Sequence, residues 1–89
     1  MSAATDQTAK VWDILWTSLA GSNYDLDALK SRAHADSRLA EDLGLDSLDL
    51  LEFYLRLGDG FAITVTEDDY ANLTSVEAIV AFVDEKVSQ

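Results

Sequence analysis

The stretch EDLGLDSLDLLEF, residues 41–53, carries the reading of the whole chain. Its first half, Glu41 to Asp46, is an acidic link broken by Gly44. Its second half starts a helix at Asp46 or Ser47 that is predicted to run to about Asp59, weakened at its end by Gly58 and Gly60 before Phe61. At about 100° per residue, Asp49, Glu52, Arg56 and Asp59 fall in one narrow polar stripe, and every other position from Leu48 to Leu57 is apolar. A surface helix buries a stripe somewhat over 100° wide, and this apolar arc is about twice that. Leu50, Phe53, Tyr54, Leu57 and Phe61 suit a core. Leu48, Leu51 and Leu55 lie on the border of the acidic stripe, so exposed leucines are expected among them, forming an apolar docking patch with a charged rim.

Ser47 sits at the N-terminus of that helix, where unpaired backbone N–H groups and the positive end of the helix dipole favour an anion. Two roles fit it: a capping hydroxyl, or a hydroxyl presented for modification by another enzyme. Catalysis by Ser47 itself does not fit. Its nearest ionisable neighbours are Asp42, Asp46 and Asp49, whereas a serine nucleophile needs an adjacent histidine or lysine base.

Outward from this helix, TAKVWDILWTSLA places Val11, Ile14, Leu15, Ser18 and Leu19 at helical spacing, which predicts a first helix from about Thr5 to Ala20. Trp12 and Trp16 are i, i+4 neighbours on it and are expected against the edge of the core. From Gly21 to Asp46 the periodicity breaks. YDLDALKSRA has helix formers for one or two turns, and a link this long inside a compact domain needs apolar anchors, for which Tyr24, Leu26, Leu29, Leu39 and Leu43 are the candidates. His34 falls in this link and reads as a surface or partly packed imidazole. Beyond the central helix, AITVT reads as extended, EDDYAN as a short helix, and TSVEAIVAFVDEKV as a last long one. That last helix carries Val76, Ile79, Val80, Val83 and Val87 on one face and a capping box from Thr74 to Glu77. The expected fold is therefore all-α: a small bundle of three long helices and one short one, with a long connection between the first and second long helices. It makes a single domain over 1–89 with flexible ends at about 1–5 and 87–89.

Composition narrows the function. Seventeen acidic residues against six basic ones give a net charge of −11, which repels nucleic acid and anionic membranes and attracts basic protein surfaces. With no cysteine and a single histidine, thiol catalysis, thiolate zinc sites and disulfides are excluded. GDGFAIT has the glycine of a calcium-binding loop, but with Gly60 at the sixth position, Leu55, Leu57 and Thr66 stand at the first, third and twelfth, where ligands are required. No metal site is expected. The start MSAATDQTAK lacks a signal peptide's basic and apolar regions, and no apolar run approaches the ~18 residues that span a bilayer, so a soluble cytoplasmic protein is expected.

EDLGLDSLDLLEF closely resembles the signature of acyl carrier proteins, in which the serine of Asp-Ser-Leu receives 4′-phosphopantetheine from coenzyme A. Asp46, Ser47 and Leu48 correspond directly, preceded by a matching Glu-Asp-Leu-Gly at 41–44. The spacing of Val11, Ile14, Leu15 and Leu19 resembles the family's first helix, and NLTSVEAIVAFVDEKV its last. The resemblance implies a non-catalytic, monomeric carrier that is the substrate of a phosphopantetheinyl transferase. Ser47 would bear the arm, Asp46 would serve the transferase, and Leu48, Asp49, Leu51, Glu52 and Leu55 would meet partner enzymes with basic docking surfaces. These partners transfer acyl groups and elongate chains in fatty acid, polyketide or specialised lipid biosynthesis. Leu50, Phe53, Ile63, Ile79 and Val80 are candidates to line a cleft for the cargo, although a packed core without a cleft fits the sequence equally well. LRLGDGF departs from the continuously acidic end that many relatives show. Peptidyl carriers, the second carrier reading, are more distant, having Gly-Gly-His-Ser or Gly-Gly-Asp-Ser where this chain has Gly44-Leu45-Asp46-Ser47. Outside carriers altogether stands an acidic helical adaptor that never bears a cofactor.

Overall fold

In the computed structural model, which describes the backbone of residues 3–87, five helices follow in order: α1 (Ala3–Leu19), α2 (Leu26–Arg32), α3 (Ser47–Phe61), α4 (Glu67–Tyr70) and α5 (Val76–Val87). Three are long and two short, one short helix more than the bundle expected from the sequence. The addition is α2, formed by the helix formers of the long link and started by Asp25, whose carboxylate accepts the Ala28 N–H at 3.2 Å. Of the ends expected to be flexible, Ala3 to Thr5 and Val87 are helical, and residues 1, 2, 88 and 89 lie outside the described residues.

The long helices form because each has an apolar stripe to bury, and α1 packs against both α3 and α5. Val11, Leu15 and Leu19 of α1, Phe53 and Leu57 of α3, and Val76, Ile79 and Val83 of α5 are fully buried together with Leu39 and Leu73. Trp12 and Trp16 stack with ring centroids 5.5 Å apart and pack half-buried on the edge of this core, as their spacing predicts. Val87, expected on the buried face of α5, is 42% exposed because it lies in the final turn, past the reach of the other helices.

The long link is held by main-chain bonds as well as by its leucines. Leu29, Leu39, Leu43 and Leu45 are buried, while Tyr24 and Leu26 are half-buried against them. The Leu39 N–H donates to the Thr74 carbonyl at 2.9 Å and the Glu77 N–H to the Ala35 carbonyl at 2.8 Å, so the link is stitched to the start of α5. Ser75, not Thr74, caps that helix: its Oγ accepts the Ala78 N–H at 3.2 Å. Thr74 lies one residue too early, and its carbonyl is already committed to Leu39. A reciprocal cap does form at α4, where the Asp69 carboxylate accepts both the N–H and the hydroxyl of Thr66 at 3.0 Å, which holds the Asp69 carboxyl below its ordinary range.

α3 also runs further than its glycines suggest, through Gly58 and Gly60 to Phe61. These glycines serve close approach. A Cβ on Gly60 would stand 2.8 Å from Ile14 Cδ1 on α1, and one on Gly58 would stand 3.0 Å from the Ile63 carbonyl oxygen. The helix ends instead at Ala62, which is left-handed at φ 55°, ψ 45°, with the Ile63 N–H closing back onto the Gly58 carbonyl at 3.0 Å. Alanine is strained in that conformation and glycine is not. Ala62→Gly is expected to stabilise the fold by about 0.5–1 kcal/mol, read as a rise in the thermal midpoint at unchanged helix content.

Candidate functional site

The site is built where the link enters α3. Asp46, extended at φ −87°, ψ 172°, is the cap, and its carboxylate accepts the Asp49 N–H at 2.9 Å. Ser47 is therefore the first helical residue and not the cap, so its hydroxyl is free of the capping role that the sequence allowed it. It is exposed, and among the described residues the N–H groups of Ser47 and Leu48 have no acceptor. Two free donors and the end of a fifteen-residue helix thus point at the same place as the hydroxyl.

Behind the serine lies a bond network spanning the α1–α2 turn and α3. The Tyr24 hydroxyl donates to Asp49 Oδ2 at 2.6 Å and accepts the Asp46 N–H at 3.2 Å, and the Ser22 hydroxyl donates to Asp49 Oδ1 at 3.2 Å. The hydrogen bond to the Asp49 carboxylate, reinforced by burial, raises the Tyr24 phenol above its ordinary value of 10.0. Tyr24 and Ser22 were not legible as site residues. Tyr24 reads in sequence as an apolar anchor, and no periodicity relates a turn residue to a carboxylate twenty-five positions away.

The sequence-derived docking residues sit as follows. Leu48, Leu51 and Leu55 are 76%, 40% and 61% exposed, so all three stand outside the core. Glu52 is exposed and pairs with Arg56 at 3.2 Å across one helical turn. Asp49 is half-buried and each of its oxygens already accepts one bond, within the capacity of a carboxylate to accept more.

Ser47 also stands on the rim of an apolar groove of about 450 Å³ between α3, α4 and the link, lined by Leu39, Leu50, Leu51, Tyr54, Tyr70 and Ala71. Of the cleft residues proposed from sequence, Leu50 alone lines it. Phe53 and Ile79 are fully buried in the core, and Ile63 and Val80 pack elsewhere on it. The groove's inner wall is the Tyr54–Tyr70 stack, with centroids 4.7 Å apart, fixed by a 2.8 Å bond from the Tyr54 hydroxyl to the Leu73 carbonyl. Tyr70 was missed because it belongs to a helix of only four residues, too short for a periodic signal. Elsewhere, among the described residues no group of three or more His, Asp or Glu side chains is placed to hold a metal ion, and no helix is long and apolar enough to cross a membrane.

The sequence profile of the phosphopantetheine attachment site matches residues 24–83, which take in Tyr24, α3 and the groove beside Ser47. The acyl carrier protein of Campylobacter jejuni strain RM1221 is 37% identical over 60 residues, covering 67% of this chain and 73% of that one. The acyl carrier protein of Chlamydia trachomatis serovar D is 39% identical over 51 residues, covering 57% and 66%. A solution structure of a protein from Anaplasma phagocytophilum, described as a candidate acyl carrier protein, matches with a TM-score of 0.79 at 22% identity over 96% of this chain and 93% of that one, and has the same fold. Fold and profile together define a class, the small helical domain to which phosphopantetheine is attached. The chain belongs to the acyl carrier protein family: it is a carrier, and its cofactor is 4′-phosphopantetheine.

The two shifted phenols give a direct check on the site. Burial and the neighbouring Tyr70 raise Tyr54, as the carboxylate raises Tyr24. A raised folded-state pKa contributes stability that is fully present below the unfolded value and is lost as pH rises through the folded one. Tyrosinate absorbance should therefore include components titrating above the free-tyrosine value of about 10, one removed by Tyr24→Phe and one by Tyr54→Phe, accompanied by alkaline destabilisation.

Proposed function

We propose that Ser47 is the attachment point of the phosphopantetheine arm, loaded from coenzyme A by a phosphopantetheinyl transferase. One observation carries this reading: Ser47 is an exposed hydroxyl at the first residue of α3, left free by the Asp46 cap and flanked by two unpaired N–H groups. The residues fit the group. An ester phosphate on Ser47 Oγ is favoured by the helix dipole by roughly 0.3–1 kcal/mol at an exposed site, and the neighbouring carboxylates of Asp46 and Asp49 oppose it weakly because water and salt screen them. The arm supplies the thiol that this cysteine-free chain lacks.

The chain's own residues then present and deliver the cargo. Leu48, Leu51 and Leu55 form the apolar face met by partner enzymes, with Asp49 and Glu52 as rim charges for their arginines and lysines. Rim charges chiefly accelerate encounter and set register, which suits a carrier that must leave each enzyme quickly. Asp46 serves the transferase. The groove beside Ser47 offers apolar cover to the part of the cargo nearest the helix. The chain works as a cytoplasmic monomer in fatty acid, polyketide or specialised lipid biosynthesis, among enzymes that transfer and elongate acyl chains.

Ser47→Ala should keep the wild-type thermal midpoint within about 0.5 kcal/mol of stability, since the cap is Asp46, yet never gain the mass of one phosphopantetheine on incubation with coenzyme A and a transferase. Mass gain by the alanine variant would assign the arm to another residue. Leu48→Glu should likewise leave folding within about 0.5 kcal/mol, because the side chain it replaces is mostly exposed, while lowering the rate of loading or of acyl transfer at least several-fold. A large fall in thermal midpoint would return Leu48 to the core.

A further inference from the structure

The ring of bonds around the first turn of α3 closes on itself. Asp46 Oδ1 accepts the Asp49 N–H at 2.9 Å, the Asp49 carboxylate accepts from the Tyr24 hydroxyl at 2.6 Å, and the same hydroxyl accepts the Asp46 N–H at 3.2 Å. Ser47 and Leu48 are the two residues enclosed between the ends of that ring. A first helical turn is ordinarily the part of a helix that frays, because its N–H groups lack partners within the helix. Here it is tied across the α1–α2 turn to a tyrosine whose ring is half-buried against the core, and Ser22, from the same turn, holds the second oxygen of Asp49 at 3.2 Å.

We propose that Tyr24 is a positioning residue for loading at Ser47: by donating to Asp49 and accepting from Asp46 with one hydroxyl, it holds the Asp46–Asp49 turn in the conformation that the transferase recognises. The inference rests on the assignment of the arm to Ser47. The Tyr24 hydroxyl bonds to Asp49 and Asp46 and not to Ser47, so it acts through the two aspartates. Phenylalanine would keep the ring packing and lose both bonds, which isolates the hydroxyl from the apolar anchor. A turn that must be ordered anew at each encounter binds the transferase less tightly, since the ordering cost is drawn from the binding free energy, while the step that follows binding is unchanged. The signature is therefore a rise in KM at constant kcat.

The test compares the full-length wild-type apo-protein with Tyr24→Phe and with Ser75→Ala, which removes the cap of α5 away from the site and reports the effect of lowered stability alone. Loading from coenzyme A by a phosphopantetheinyl transferase is followed by intact mass, and amide hydrogen exchange is measured on each apo-protein without enzyme. Loss of two hydrogen bonds predicts a roughly five- to tenfold higher KM for Tyr24→Phe with kcat within about twofold, and faster exchange at the Asp46 and Asp49 amides. Ser75→Ala should load within about twofold of wild type. Unchanged exchange at both amides, loading of Tyr24→Phe at the wild-type KM, a loss carried by kcat alone, or an equal loss in Ser75→Ala would each overturn the proposal. Failure of the underlying reading has a different signature: wild-type protein that gains no mass, or Ser47→Ala that does. The amide exchange of the apo-proteins still decides whether Tyr24 orders the turn in either case.

Discussion

α3 carries apolar side chains around more of its circumference than a bundle this small can cover, and the rest of the structure follows from that excess. α1 covers one side and buries Phe53 and Leu57. The link covers another, bringing Leu39, Leu43 and Leu45 against the core. What remains is the line of Leu48, Leu51 and Leu55, which no helix among the described residues covers. Burial of each would contribute roughly 1.5–3 kcal/mol, so leaving three leucines in water is a considerable sacrifice for a domain whose whole stability is expected to be only 5–15 kcal/mol. That sacrifice makes physical sense when another surface covers the face transiently.

Charge works in the same direction. All three lysines lie over aromatic faces, Lys10 on Phe61 at 4.7 Å, Lys30 on Trp16 at 5.7 Å and Lys86 on Phe82 at 5.4 Å. Arg38 and Arg56 pair with Glu41 and Glu52. These exposed ion pairs contribute little to stability, about 0–1 kcal/mol each. Their consequence is that much of the chain's limited positive charge is engaged locally, while most of its seventeen acids face outward. Self-repulsion is the cost, and long-range attraction of basic surfaces is the return. The Glu52–Arg56 pair gives the proposed docking face a cation as well, so a partner with a uniformly basic patch would meet one like charge there.

Much of the fold was legible in the sequence because long amphipathic helices announce themselves by period. The Trp12–Trp16 edge and the exposed leucines stand where spacing put them, and the anchors Leu29, Leu39 and Leu43, read from residue type in a link without a period, are buried. What was misread is local and short. Ser75 displaced Thr74 as a cap because stitching of the link to α5 decided which residue begins the helix. Gly58 and Gly60 looked like helix breakers, whereas packing against Ile63 and Ile14 gives them another use and α3 runs straight through. The groove beside Ser47 could not be separated from the core by hydrophobicity, since its lining and the core draw on the same residue types.

The sequence by itself determined the three long helices, the width of the apolar arc on α3, the place of Ser47 at the start of that helix, and the acidic field around it, because each is set by residue type and spacing along one segment. Only the tertiary structure decided that Tyr24 and Ser22 reach across to hold Asp49, and that Tyr54 and Tyr70 wall a groove at the serine's side. Those features join side chains from segments many residues apart, and their geometry exists only once the core has fixed the distances between those segments.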